Sequence, residues 1–207
     1  MKTKNRYIIR SRISEAKFRE IVKLFLLDLQ ANQISQISGI SRNSINKYLK
    51  AIRITIIKNN PLPTTISHEF SHNPNPNLIG VINYNGKIYT QLIPESKEEE
   101  ILQQIKHRLD KTDENLQSTQ IYNGIIHLKK HRYYRLENTE QTNTKYAITT
   151  SEAFWGYSKN RLSKFRGLSK NSIDLHFKEC EFRFNTKDQD QYSLLLKLFR
   201  EKPLKLS

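Results

Sequence analysis

Four of the six prolines fall inside one short stretch, KNNPLPTTISHEFSHNPNPN at 58–77. Proline has no amide donor and a fixed φ, so no helix crosses this stretch. At most one short strand fits in it, near Thr64 to Phe70. The 207 residues therefore divide into a segment 1–58, a Pro/Asn-rich linker 59–77 and a larger part 78–207. That length suits one domain of ordinary size and a small one. His68 and His72 in the linker have helical metal-ligand spacing, but no helix is expected there and no third ligand accompanies them.

Charge separates the same parts. The formal net charge is +15. Residues 1–60 hold 13 Lys and Arg against Glu15, Glu20 and Asp28, a net of +10. An excess so placed points first to nucleic acid and second to an anionic membrane surface. No apolar run approaches the ~20 residues that span a bilayer. The N-terminus MKTKNRYIIRSR lacks the apolar core of a secretory signal, and the expected location is the cytoplasm. One cysteine excludes an internal disulfide and any multi-cysteine zinc site.

Within 1–58, Ser14 is placed to cap a first helix with Glu15 in its first turn. Phe18, Ile21, Val22, Leu24 and Phe25 supply its apolar side. A short second helix is expected over Asn32 to Ser38, with Ile34 and Ile37 inward, ended by Gly39. Ser41 then caps a third helix with Ile45, Tyr48, Leu49 and Ile52 inward. Helix, glycine turn and serine-capped basic helix is the order of a helix-turn-helix. Arg42, Asn43, Asn46, Lys47 and Lys50 fall on the outer side. Arg and Asn read guanine and adenine edges, and Lys serves phosphates. A basic bundle that binds protein has the same pattern, but the charge asymmetry favours double-stranded DNA.

Past the linker, Leu78 to Tyr84 and Lys87 to Ile93 read as strands, joined by the hairpin signal Asn85-Gly86. Ser96 to Leu109 follows as a helix with an acidic start. A strand near Leu116 to Ile121, a short helix near Gly124 and a strand at His131 to Leu136 complete an α/β element order. His127 and His131 read as solvated basic residues. From Ser151 to Asn185 two helices are expected, broken at Gly167. In the first, Glu152, Gly156, Lys159, Ser163 and Arg166 share one face, and Trp155, Leu162 and Phe165 an apolar one. Cys180 lies between Glu179 and Glu181, which argues against a nucleophile. Tyr192 to Phe199 reads as a last apolar helix that covers the sheet or the Trp155 helix, or else forms a homodimer surface.

The run Glu152-Ala153-Phe154-Trp155-Gly156-Tyr157, with Lys159, Arg161-Leu162, Lys164-Phe165 and Gly167, followed by Leu175-His176 and Lys178-Glu179-Cys180-Glu181-Phe182-Arg183-Phe184-Asn185, resembles the C-terminal signature of small bacterial insertion-sequence transposases. These are DDE-type enzymes. Ser14 to Glu20 and Gly39 to Leu49 are similar to the N-terminal region of the same family, which binds the element's terminal repeats. The resemblance implies a ribonuclease H-like mixed sheet flanked by helices. It also implies three acids holding two Mg²⁺ or Mn²⁺ ions for phosphoryl transfer. Glu152 matches the third acid, and Lys159 and Arg166 match a basic, DNA-facing helix. At the other two acid positions stand Ser67 and Gln117, and neither is a carboxylate. Recruiting Glu69 or Asp113 instead needs shifts of two and four residues. The implied protein is a DNA-binding relative with defective catalysis. The alternative is an active enzyme with displaced acids.

Overall fold

The computed structural model describes residues 5–60, 77–109, 122–136, 148–165 and 172–206. They fall into two compact units. The first comprises the described residues up to Asn60 together with those from Thr186 onward; the second takes the rest.

The first unit is helical. Its elements are α1 (Glu15–Leu26), α2 (Ala31–Ser38), α3 (Arg42–Lys58) and, from the far end of the chain, α7 (Gln191–Glu201). Ser14 caps α1, accepting the Lys17 amide at 3.2 Å. Gly39 closes α2 at φ +68°, a conformation that a Cβ disfavours. Ser41 caps α3. Phe18, Ile21, Val22, Ile34, Ile45 and Ile52 are fully buried between the helices. Ile37, expected inward, is 56% exposed. Ser38 takes the buried place beside Ile34, one turn away, and its hydroxyl accepts the Ile40 amide.

α7 was expected over the sheet or the Trp155 helix; it packs instead in the first unit. Leu195 and Phe199, four apart, are its buried stripe, and Phe199 meets Phe18 edge-on at 5.7 Å. The chain after it adds a parallel bridge to the N-terminal arm: the Ile9 amide donates to the Leu204 carbonyl and the Leu204 amide to that of Tyr7, both at 2.9 Å. Tyr7 is buried, and the Arg19 guanidinium donates to its hydroxyl at 2.8 Å.

The second unit is α/β. β1 (Leu78–Tyr84) and β2 (Lys87–Leu92) form the expected hairpin, turned at Asn85 and Gly86 with φ of +50° and +75°. α4 (Glu95–Leu109) follows. Around Gly124, where a short helix was expected, stands β3 (Gly124–His127), paired antiparallel to β1. β4 (Arg132–Arg135) completes the order β2-β1-β3-β4. All three pairings are antiparallel, so among the described residues the sheet is not mixed. Gly124 suits a strand because the Tyr133 ring of β4 lies where its Cβ would be, 2.1 Å from the hydroxyl oxygen. Residues Ser67, Glu69, His68, His72, Asp113, Gln117, Arg166 and Gly167, with the strands expected near Thr64 and Leu116, lie outside the described residues.

Both sheet faces are covered, which explains why the two central strands β1 and β3 are apolar almost throughout. Leu78, Ile93, Ile125 and Leu136 pack with Ile101 and Ile105 of α4. Ile79, Val81, Ile88 and Ile126 face Phe154 of α5 (Thr150–Leu162) and Phe177 and Cys180 of α6 (Ile173–Asn185).

Candidate functional site

Two surfaces carry the residues singled out in the sequence, one in each unit. On α3 the inward stripe is Ile45, Tyr48, Leu49 and Ile52, as expected. Arg42, Asn43, Asn46, Lys47 and Lys50 are all exposed. The serine cap and glycine turn fix where this helix starts, so its first turn presents Arg42 and Asn43 at the exposed N-terminal end. Five polar or cationic side chains on one helical face suit phosphates and base edges.

In the second unit, the β3–β4 hairpin and α5 bound an open concavity of about 710 Å³. His131, Arg132 and Arg135 come from the hairpin, and Glu152 and Trp155 from α5. Glu152 sits in the first turn of α5. Thr149 caps the helix and accepts the Glu152 amide at 3.3 Å, while the Glu152 carboxylate accepts the Thr149 amide at 3.0 Å. This reciprocal box is encoded by the run Thr149-Thr150-Ser151-Glu152. Arg135, at the end of β4, donates Nε to Glu152 Oε1 at 3.0 Å and a second nitrogen to Oε2. Burial alone pushes the Glu152 carboxyl up, but hydrogen bonds from Arg135 and Thr149, with the arginine charge, hold it below its ordinary value.

That geometry bears on the implied metal ions. Both Glu152 oxygens are occupied by a guanidinium and an amide, and no other carboxylate lines the concavity among the described residues. Among the described residues no three His, Cys, Asp or Glu come together as a metal-holding group. The described donor set does not fit two divalent ions, and we derive no step through them. Lys159, two turns along α5 from Glu152, is exposed.

The buried stripe of α5 differs from the expected apolar face. It is Ser151, Phe154, Ser158 and Arg161, while Trp155, Leu162 and Phe165 are half-buried. A buried arginine is tolerated because a buried carboxylate awaits it. Glu179 of α6 accepts from Arg161 and, at 2.9 Å, from Arg183 Nε. Burial pushes the Cys180 thiol up; the Arg161 guanidinium opposes this, and the Glu179 charge adds a smaller push in the upward direction, so burial is the main reason against a nucleophile and the flanking acids a lesser one.

The rest of the signature turns out to secure an edge. β2 is an outer strand among the described residues, and side chains of α6 meet its outer backbone groups. Asn185 accepts the Ile88 amide at 2.8 Å and donates to the Ile88 carbonyl at 2.7 Å. Glu181 accepts the Thr90 amide at 2.7 Å and its hydroxyl at 2.9 Å, and Lys178 donates to the same oxygen. The spacing of Glu181 and Asn185, one turn apart between aromatics, was the available signal; it does not say which strand they meet. Arg135 carried no signal at all, being one arginine among many.

Comparison with known proteins is sparse. The chain is 26% identical over 117 residues to a protein of Haemophilus influenzae described as an uncharacterized transposase-like protein. The match covers 55% of this chain and 94% of that protein. No family model matches the chain, and no solved structure matches it. No helix among the described residues is long and apolar enough to cross a membrane.

Proposed function

We propose that this chain is a transposase-like protein that binds double-stranded DNA and does not cut it at Glu152. The observation that carries the DNA reading is the α3 face: Arg42, Asn43, Asn46, Lys47 and Lys50, all exposed, within a segment of net charge +10. Similarity to a transposase-like protein supports the same class. In this reading α2 and α3 act as a helix-turn-helix whose second helix enters the major groove of the terminal repeats. The second unit is then a descendant of a ribonuclease H-like domain. That part rests on the signature at 152–185, since the four described strands are antiparallel.

Defective catalysis is supported by two observations of different kinds. Ser67 and Gln117 stand where the family has acids, and Arg135 takes up both oxygens of the acid that remains. An arginine at that place supplies a permanent positive charge to Glu152, the role that Mg²⁺ or Mn²⁺ fills in an active relative.

Binding to duplexes from the ends of the encoding element tests the reading by gel retention against random DNA. Arg42→Ala or Asn43→Ala should each weaken specific retention by about 1–3 kcal/mol and relax sequence preference. Lys47→Ala should weaken all duplexes alike and lower the salt slope by about 1. Retention indifferent to all three would remove α3 from the interface.

A further inference from the structure

The concavity beside Glu152 has a chemistry that neither metal binding nor groove reading uses. Arg135 and Glu152 neutralise each other there. Arg132 remains, exposed and without an ion pair to any described residue, beside the His131 imidazole. The described lining therefore carries a net positive charge. It is also aromatic. Trp155 packs partly against the core formed by Phe154 and Phe177 and turns the rest of its surface to the concavity, so the indole is held in place. Ile148, 77% exposed, adds an apolar rim. Lys159 lies one turn beyond Trp155 on the same side of α5, about 6 Å along the axis. The volume lies within the range of sites that take ligands of nucleotide size.

A ligand that satisfies this set needs a flat π-face for the indole and an anion for the guanidinium. A duplex offers phosphates but keeps its base faces stacked inside. An acidic peptide offers carboxylates, but its backbone does not set a flat ring beside each charge. An unpaired nucleotide offers both, and stacking on aromatics with cations along the backbone is how single strands are held. We infer that this concavity binds single-stranded DNA, with one base against Trp155, its phosphate at Arg132 and the strand running past Lys159. Only the choice of DNA as the polymer rests on the function proposed above.

Trp155 is the sole tryptophan of the chain, so fluorescence excited at the red edge, where tyrosine does not absorb, reports this site alone. The full chain is titrated with oligothymidylate of roughly ten nucleotides. The expected result is a saturable quench that weakens with salt. Arg132→Ala, a change at an exposed hairpin residue, should raise the apparent Kd roughly tenfold, the loss of one charge-assisted contact. Lys159→Ala should raise it less. No quench, or a quench that both variants leave unchanged, would overturn the site. Equal quenching by a duplex of the same length or by polyglutamate would reduce it to general charge attraction and overturn base stacking. Tighter binding of oligouridylate would overturn DNA as its ligand. The triple variant Arg42→Ala, Asn43→Ala, Lys47→Ala separates the two readings. It should lose duplex retention and keep the quench. Loss of both would place the strand on α3 and refute the site; retention of both would refute the α3 reading and leave the site standing.

Discussion

Glu152→Ala is the substitution on which the non-catalytic reading makes its sharpest demand. In an active metal-dependent enzyme the third acid is held ready for a cation, and its removal relieves repulsion. Here it should destabilise. The Arg135–Glu152 pair is 25% and 28% exposed, between the surface regime of about 0–1 kcal/mol and the buried one of about 3–5. An interaction of about 1–2 kcal/mol follows. Losing the carboxylate's bond to the Thr149 amide removes half of the capping box, about 1 kcal/mol more. The sum, about 2–3 kcal/mol, should lower the midpoint of the second unit by roughly 6–10 °C. Melting followed by Trp155 fluorescence reads that unit alone. In a double-mutant cycle with Arg135→Met, the coupling should be about 1–2 kcal/mol. Mg²⁺ should leave the midpoint of the native chain unchanged. A Glu152→Ala protein as stable as the native chain, or a native midpoint raised several degrees by Mg²⁺ only when Glu152 is present, would refute the reasoning.

The remaining predictions use the same structure. The Glu152 carboxyl is held below its ordinary value, so its contribution is complete above the unfolded carboxylate range near pH 4.3 and disappears as pH falls through the depressed folded value. Glu152→Gln should flatten that acid limb in urea melts at stepped pH, and an unchanged limb would contradict it. Asn185→Ala strips both Ile88 backbone groups of their partner and should cost about 2–3 kcal/mol. Hydrogen exchange should show the Ile88 amide losing protection before those of β1 do, and equal protection in variant and native chain would rule the contact out. Gly39→Ala forces a Cβ into φ +68° and should destabilise the first unit by about 1 kcal/mol, read by circular dichroism melts; no change would mean that the turn relaxes.

Legibility in the sequence followed how local each feature is. The helices α1 and α3, with caps at Ser14 and Ser41 and the turn at Gly39, depend on neighbours within four residues, and all were readable. So was the β1–β2 hairpin, because Asn85-Gly86 fixes its turn. Failures began where partners are distant. β3 is only four residues, too short for a period, and its two isoleucines and flanking glycine do not exclude a helix. α7 has an obvious apolar stripe, but nothing in Leu195 or Phe199 names Phe18 as the surface they cover. The α5 face was misjudged because a serine–arginine stripe is a poor guess for an interior; Arg161 is buried only because Glu179 comes to it from α6. At the candidate site Glu152 was readable from its place in the signature. Its partner Arg135 was not, being seventeen positions away across an unannounced strand pairing.

One experiment bears most directly on the claim of DNA binding without cutting. Purified chain is mixed with duplexes from the ends of the element that encodes it, with Mn²⁺ and excess random DNA, and retention and nicking are recorded in the same tubes. The account predicts retention that survives the random competitor, with no nicks. Nicks that appear with Mn²⁺ and vanish in Glu152→Ala would contradict it, and would mean that Glu152 leaves Arg135 to join displaced acids such as Glu69 and Asp113 in place of Ser67 and Gln117.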